Sequence, residues 1–353
     1  MFSNNHSQSA PKRICKAVAL LALMSSLVLA GTSVLASASD VEPKNLLILG
    51  DSIATGHSLP DYNSEGNPKS QYSWATLLAE EYGAQQINLA VDGDTTANLR
   101  DVVRNQANRA AIEQADVICI SIGGNNFLQL MNRLSGEGTL FSLDVVEAEY
   151  AVMQDAAADD LDDIFDTLWI INPNARVLVQ TLFEPYLYFT APIFEGHSFA
   201  DIMGSYVQRY NTMLAEKAGA YGFTVVDVAN AFRTQSDETW VYATMKEGSF
   251  EDVVAAIAQA NPHPTVAGHR GMFETYCREA GSVIESAFAP QAPAGNTPTP
   301  PAQNESSNPS PTTDTGEQDS DLALKIAAIA GGSVAVFGAV VALSLLKKKK
   351  NQA

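Results

Sequence analysis

The sequence predicts an α/β protein in which a parallel β-sheet is covered by helices on both faces. Three observations carry that expectation. Five short apolar runs, at residues 45–49, 86–91, 116–122, 176–182 and 223–228, have the length and composition of buried strands. Helical stretches at 73–82, 96–114, 143–171 and 199–220 separate them. Strands that alternate with helices need crossover connections, which pair the strands in parallel and bury both faces of the sheet. Several strands also end in Gly, Asp, Asn and Ser, the residues that turn a chain sharply. No internal repeat is present.

Taken in order, the first strand ends in Leu49-Gly50-Asp51-Ser52-Ile53-Ala54-Thr55-Gly56. Ligands in open α/β sheets bind at the carboxyl ends of strands, so a serine displayed there is a candidate nucleophile. The alternative is a Gly-Asp-Ser turn that caps a helix. The second strand ends in Val91-Asp92-Gly93-Asp94-Thr95-Thr96. Gly93 lets a backbone N–H approach a ligand, and Thr95 or Thr96 suits a helix cap. The third strand ends in Gly123-Gly124-Asn125-Asn126, a tight turn with an amide beside it. An Asn side chain there serves either as an oxyanion donor or as a left-handed turn residue.

In the helix at 143–171, Leu161, Ile164, Phe165, Leu168 and Ile171 share one face. The acidic run Asp159, Asp160, Asp162, Asp163 and Asp166 reads as a solvated face, since the glycine-turned loop of a calcium hand is missing. After the fourth strand, residues 183–194 crowd aromatic and apolar side chains into a loop. They suit an acyl pocket or ordinary packing. Late in the chain, His263 lies between Pro262 and Pro264, rigidly presented as a candidate general base. No Cys/His group has metal-ligand spacing. Cys119 sits in an apolar run and reads as a buried thiol, and its pairing with Cys277 is left open.

Together these four segments resemble the SGNH family, also called GDSL esterases and lipases, over essentially all of residues 44–288. The resemblance implies a three-layer α/β/α sandwich similar to flavodoxin. It implies that Ser52 is the nucleophile and that His263 is the base. It places the N–H groups of Ser52 and Gly93 and the amide of Asn125 in an oxyanion hole. No cofactor and no metal is implied. The reaction implied is hydrolysis of a carboxylic ester through an acyl-enzyme, on a lipid, a simple acyl ester or an acetylated glycan. Two positions depart from the family's pattern. Asn126 stands where the third block usually ends in Asp. The triad acid, usually an Asp two or three residues before the histidine, is replaced by Asn261 or Ala260. A backbone carbonyl near Ala260 or Asn261 is the expected orienter of His263, with Asp237 and Asp252 as other carboxylates within the chain. The missing acid also leaves open a silent hydrolase fold that only binds cell-surface glycan.

The ends of the chain carry targeting signals. Residues 1–38 read as a secretory signal peptide: Lys12, Arg13 and Lys16, an apolar run at 17–30, then Ala36-Ser37-Ala38 before the cleavage point. The hydrolase domain is expected at 39–289. Residues 290–321, rich in Pro, Ser, Thr and Asn, read as a disordered stalk. Residues 322–346 read as a transmembrane helix and 347–353 as a basic cytoplasmic tail, which places the domain outside the cell. This tail resembles a Gram-positive cell-wall sorting signal, but Thr312-Thr313-Asp314-Thr315-Gly316 lacks the opening Leu-Pro, so a retained membrane helix is the expectation. All 40 acidic residues lie between Asp40 and Asp321, against 13 of the 21 Lys and Arg. Such a surface repels nucleic acid and anionic headgroups.

Overall fold

Strand β1 (Asn45–Gly50) is the second strand of a five-stranded parallel sheet in a computed structural model of the chain. The structure describes residues 43–289, apart from 138, 140–141, 191, 195, 236–237 and 244–259. The signal peptide, stalk, C-terminal helix and basic tail expected from the sequence, and also Asp237 and Asp252, lie outside the described residues. Among the described residues, no helix is long and apolar enough to cross a membrane.

The sheet is completed by β2 (Gln85–Asn88), β3 (Val117–Ser121), β4 (Arg176–Gln180) and β7 (Thr224–Val226), in the order β2-β1-β3-β4-β7. A two-stranded antiparallel pair, β5 (Pro192–Phe194) and β6 (His197–Ser198), stands apart. The four leucine and isoleucine side chains of β1 are almost fully buried, and they divide by parity. Successive strand residues point to opposite faces. Leu46 and Ile48 join one core with α2 (Trp74–Tyr82) and α9 (Val266–Ala287), where Trp74 stacks on Tyr276 at 4.6 Å between ring centroids. Leu47 and Leu49 join the other, with α3 (Thr96–Arg104), α6 (Leu143–Ile171) and α7 (Phe199–Tyr221). Three layers result, as the sequence predicts.

Three local differences have physical causes. The helix expected over 96–114 is broken into α3 and α4 (Arg109–Glu113). Asn105 adopts an extended ψ of 121°, its side chain accepts from the Ala107 N–H, and none of residues 106–108 is buried to hold a continuous helix. A helix, α5 (Gly124–Glu137), follows β3 where only a turn was expected. Phe127, Leu130, Met131 and Leu134 recur at three- and four-residue spacing and are buried, so its signal was present in the sequence. The acidic run on α6 is not simply solvated. Asp160 is buried, accepts the Thr96 hydroxyl at 2.8 Å and pairs with Arg100 at 2.5 Å. Asp162 and Asp163 pair with Lys217 and Arg104.

The aromatic loop at 183–194 packs as core among its described side chains. Phe183 stacks on Phe232 at 4.2 Å, while Tyr186 and Phe189 are buried with Phe199. Cys119 and Cys277 are both free thiols.

The sharpest steric constraint falls where β1 ends. Gly50 has φ +141°, and a Cβ there would lie 2.0 Å from the Ser121 carbonyl oxygen. That clash is with backbone, which cannot yield cheaply. Gly50→Ala is therefore expected to cost about 2 kcal/mol or more, by overpacking and forced backbone strain. Denaturant unfolding of the variant beside the wild type checks this.

Candidate active site

The carboxyl ends of β2, β1 and β3 are adjacent, which gathers three loops on one edge of the sheet. The Val91 N–H donates to the Gly50 carbonyl at 3.0 Å, and the Asp51 N–H donates to the Ser121 carbonyl at 3.1 Å. Ser52 opens the short helix α1 (Ser52–Thr55) and is partly exposed. Asp51 caps that helix by accepting the Ile53 N–H at 3.0 Å. Burial pushes the Asp51 carboxyl up to about 7, assisted by Asp94 and Asp92 and opposed by the Ile53 N–H.

Gly93 lies in the turn after β2 with φ +86°, a conformation that glycine adopts freely. The Asp94 N–H closes that turn on the Val91 carbonyl at 3.2 Å. Asn125, on the first turn of α5, donates from Nδ2 to the Asp94 carbonyl at 3.0 Å. This bond joins the Gly93 turn to the third motif and leaves the second Nδ2 hydrogen for another acceptor. Thr95 caps α3 in a reciprocal arrangement with Asn98. Asn126 accepts the Thr96 N–H through Oδ1 and donates from Nδ2 to the Thr96 hydroxyl at 2.8 Å. Since Thr96 spends its own proton on Asp160, a donor is needed at residue 126, and an amide supplies it where an ionised carboxylate cannot.

His263 sits in a loop fixed by two backbone contacts: the Tyr242 N–H donates to the His263 carbonyl at 3.1 Å, and the Thr265 N–H donates to the Trp240 carbonyl at 2.9 Å. The side chain of Asn261, rather than a backbone carbonyl, holds the imidazole. Asn261 Oδ1 lies 2.6 Å from His263 Nδ1 and also accepts the His263 N–H at 3.1 Å. Asn261 Nδ2 donates to Ser58 Oγ at 3.1 Å, which fixes the amide with its oxygen toward the ring. Nδ1 is then the protonated nitrogen, and Nε2 keeps its lone pair. Ala260 takes no part, being packed in the apolar cluster with Phe189 and Phe199. Burial pushes the His263 imidazole down to about 4, with His57 adding to the fall and Asp92 opposing it.

Residues that the motif reading passed over complete the site. The His57 N–H donates to the Ser52 carbonyl at 3.0 Å, and the His57 ring lies 4.7 Å from that of His263. His57 Nδ1 is 2.8 Å from Asp92 Oδ2. Asp92 also accepts from Thr55 at 2.6 Å and from Tyr62 at 2.5 Å. Burial alone would raise the Asp92 carboxyl, but these hydrogen bonds overcome it and hold the group down at about 2. Their one sequence signal is nearness to the motifs, since His57 follows Ser52 by five residues and Asp92 directly precedes Gly93, but nothing local pairs the two.

A parallel α/β sandwich that presents these loops at the carboxyl edge of its sheet defines the SGNH hydrolase class of fold. Residues 48–271 match the model of the GDSL-like Lipase/Acylhydrolase family, and the chain belongs to that family as an ester hydrolase of the GDSL type. It is 26% identical over 229 residues to a lipase of Streptomyces rimosus, spanning 63% of this chain and 83% of that protein. It is 26% identical over 266 residues to Lipase 1 of Streptomyces coelicolor, spanning 71% of this chain and 94% of that protein. The extracellular lipase of Streptomyces rimosus shares the fold at a TM-score of 0.50 and 21% identity, with 67% of this chain and 99% of that chain covered. Phospholipase A1 of Streptomyces albidoflavus NA297 shares it at 0.50 and 18% identity, with the same coverage.

With His263 proposed as the base, its lowered pKa carries a kinetic signature: only the neutral imidazole can accept a proton, so kcat/KM should hold as pH falls and drop only near pH 4. A pH–rate profile checks it; an acid limb at the ordinary histidine value near 6.5 would contradict the burial argument.

Proposed function

We propose that the chain is an exported, surface-displayed serine ester hydrolase that cleaves acyl or acetyl esters through an acyl-enzyme on Ser52. The observation that carries this reading is the pinning of His263 Nδ1 by Asn261, which leaves Nε2 as the base. His263 takes the proton of Ser52 as Oγ attacks the ester carbonyl. The N–H groups of Ser52 and Gly93 and the amide of Asn125 hold the oxyanion. As the tetrahedral intermediate collapses, His263 returns the proton to the leaving alcohol. Water then attacks the acyl carbonyl as His263 takes its proton, and His263 returns that proton to Ser52 Oγ as the carboxylic acid leaves. No cofactor takes part.

The substrate proposed first is an acyl ester of lipid type, since the two curated relatives are named lipases. An acetylated glycan is the second candidate, in keeping with display at the cell surface. The signal peptide at 1–38 would export the domain at 39–289, and the helix at 322–346 would anchor it through the stalk at 290–321.

Hydrolysis of p-nitrophenyl esters from acetate to palmitate, by the purified protein and its Ser52→Ala variant, tests the reading. Serine-dependent turnover is expected, with the chain-length profile separating a lipase from a deacetylase. Turnover that survives Ser52→Ala overturns the nucleophile assignment, and no turnover on any ester would favour the glycan-binding alternative. Asn125→Ala should lower kcat by about 100-fold or more, the usual cost of an oxyanion donor. Steady-state kinetics on the preferred ester measures it.

A further inference from the structure

The four motif residues leave a connected set of polar side chains unexplained. The Asp92 carboxylate collects three donors, from Thr55, His57 and Tyr62, which is far more than a solvated turn residue needs. His57 carries this contact to the site, because its ring lies over that of His263 with 4.7 Å between centroids and 45° between planes. The next residue reaches the same imidazole, with Ser58 Oγ 3.4 Å from His263 Nδ1. Ser58 has φ +70°, uncommon for a residue with a side chain, and its hydroxyl accepts the Asn261 amide at 3.1 Å. A backbone held in that region persists only where its surroundings enforce it. Two consecutive residues of one loop thus address His263.

The charge balance at His263 shows what this arrangement supplies. When His263 takes a proton, a cation forms in a buried place, where an uncompensated charge is costly. Asn261 fixes the tautomer but is neutral, so it cannot repay that cost. Asp51 and Asp94, the neighbouring carboxyls, are both pushed up to about 7 by burial, with Lys69 opposing the rise at Asp94. Asp92 is the one held ionised. An imidazole that donates its Nδ1–H to a carboxylate is polarised toward that carboxylate, and its ring face becomes a better partner for a neighbouring cation.

We propose that Asp92, acting through the ring of His57, replaces the missing triad acid of this enzyme. This rests on His263 serving as the base. The division of labour is then explicit: Asn261 and Ser58 orient the imidazole, while the Asp92 carboxylate, held across the ring of His57, favours the imidazolium. Asp92 and His57 are positioning residues, and neither gains nor loses a proton in the cycle.

A double-mutant cycle tests the proposal, using the full chain and the p-nitrophenyl ester it turns over best. Asp92→Asn should lower kcat by about tenfold or more, the equivalent of one pKa unit of lost interaction, with KM unchanged. Its acid limb should move to lower pH. Asn261→Asp places a conventional acid beside His263 Nδ1 and serves as the second background of the cycle, with its own kcat as the reference. In the Asn261→Asp background, Asp92→Asn should become nearly silent. The same loss in both backgrounds would overturn the proposal, because it would mean that Asp92 only shapes the Gly93 turn. No loss in the wild-type background would overturn it as well. Should Asp92→Asn fail to fold, His57→Phe keeps a ring in place but severs the link to Asp92, and it should reproduce the kcat loss and its suppression by Asn261→Asp. A wild-type chain without serine-dependent turnover would instead overturn the functional reading itself.

Discussion

The site depends on how closely the ends of β1 and β3 approach. Gly50 rests against the Ser121 carbonyl with no room for a side chain, and the Asp51 N–H bonds to that same carbonyl. This contact seats Ser52 at the sheet edge and sets the first motif beside the third. The neighbouring bond from Val91 to Gly50 brings in the second motif, and Asn125 then bonds to Asp94 across the gap. Three loops from three separate parts of the chain are thus joined at their bases by two backbone hydrogen bonds, with the Asn125 side chain adding a third link. The backbone bonds depend little on which side chains occupy the loops. A glycine at residue 50 and one at residue 93 are the local requirements.

The histidine arrives by a different route. His263 comes from the loop before α9, which among the described residues pairs with no strand of the sheet; backbone bonds to Trp240 and Tyr242 hold the loop, and side chains must fix the ring. Asn261, Ser58 and His57 do so. Burial explains why so many are needed. A neutral imidazole in that position is easily kept, but a charged one needs help. Orientation by a neutral amide and charge compensation by a carboxylate elsewhere are separable tasks, and this geometry assigns them to different residues.

Much of the fold was legible in the sequence, and the reason is period. Strands β1 and β3 are continuous apolar runs because both faces are buried, and α6 shows its stripe over many turns. Helix α5 was missed because Gly123-Gly124 drew the reading toward a turn, although Phe127, Leu130, Met131 and Leu134 carry a helical spacing. The break at Asn105 is a local choice between a side-chain cap and one more helical turn, and no periodicity reports it. At the site, Ser52, Gly93, Asn125 and His263 were legible because each follows a strand or lies within a conspicuous turn. The parts that were not legible depend on distance in space. Asp92 and His57 are 35 residues apart in sequence, and Asn261 reaches Ser58 across 203. No local pattern announces such pairs.

Reaction of the protein with an activated fluorophosphonate, followed by peptide mass mapping, tests the central claim most directly. The account predicts a single stoichiometric adduct on Ser52 whose rate of formation collapses in His263→Ala. An adduct on another residue, or labelling of Ser52 that is indifferent to His263, would contradict it.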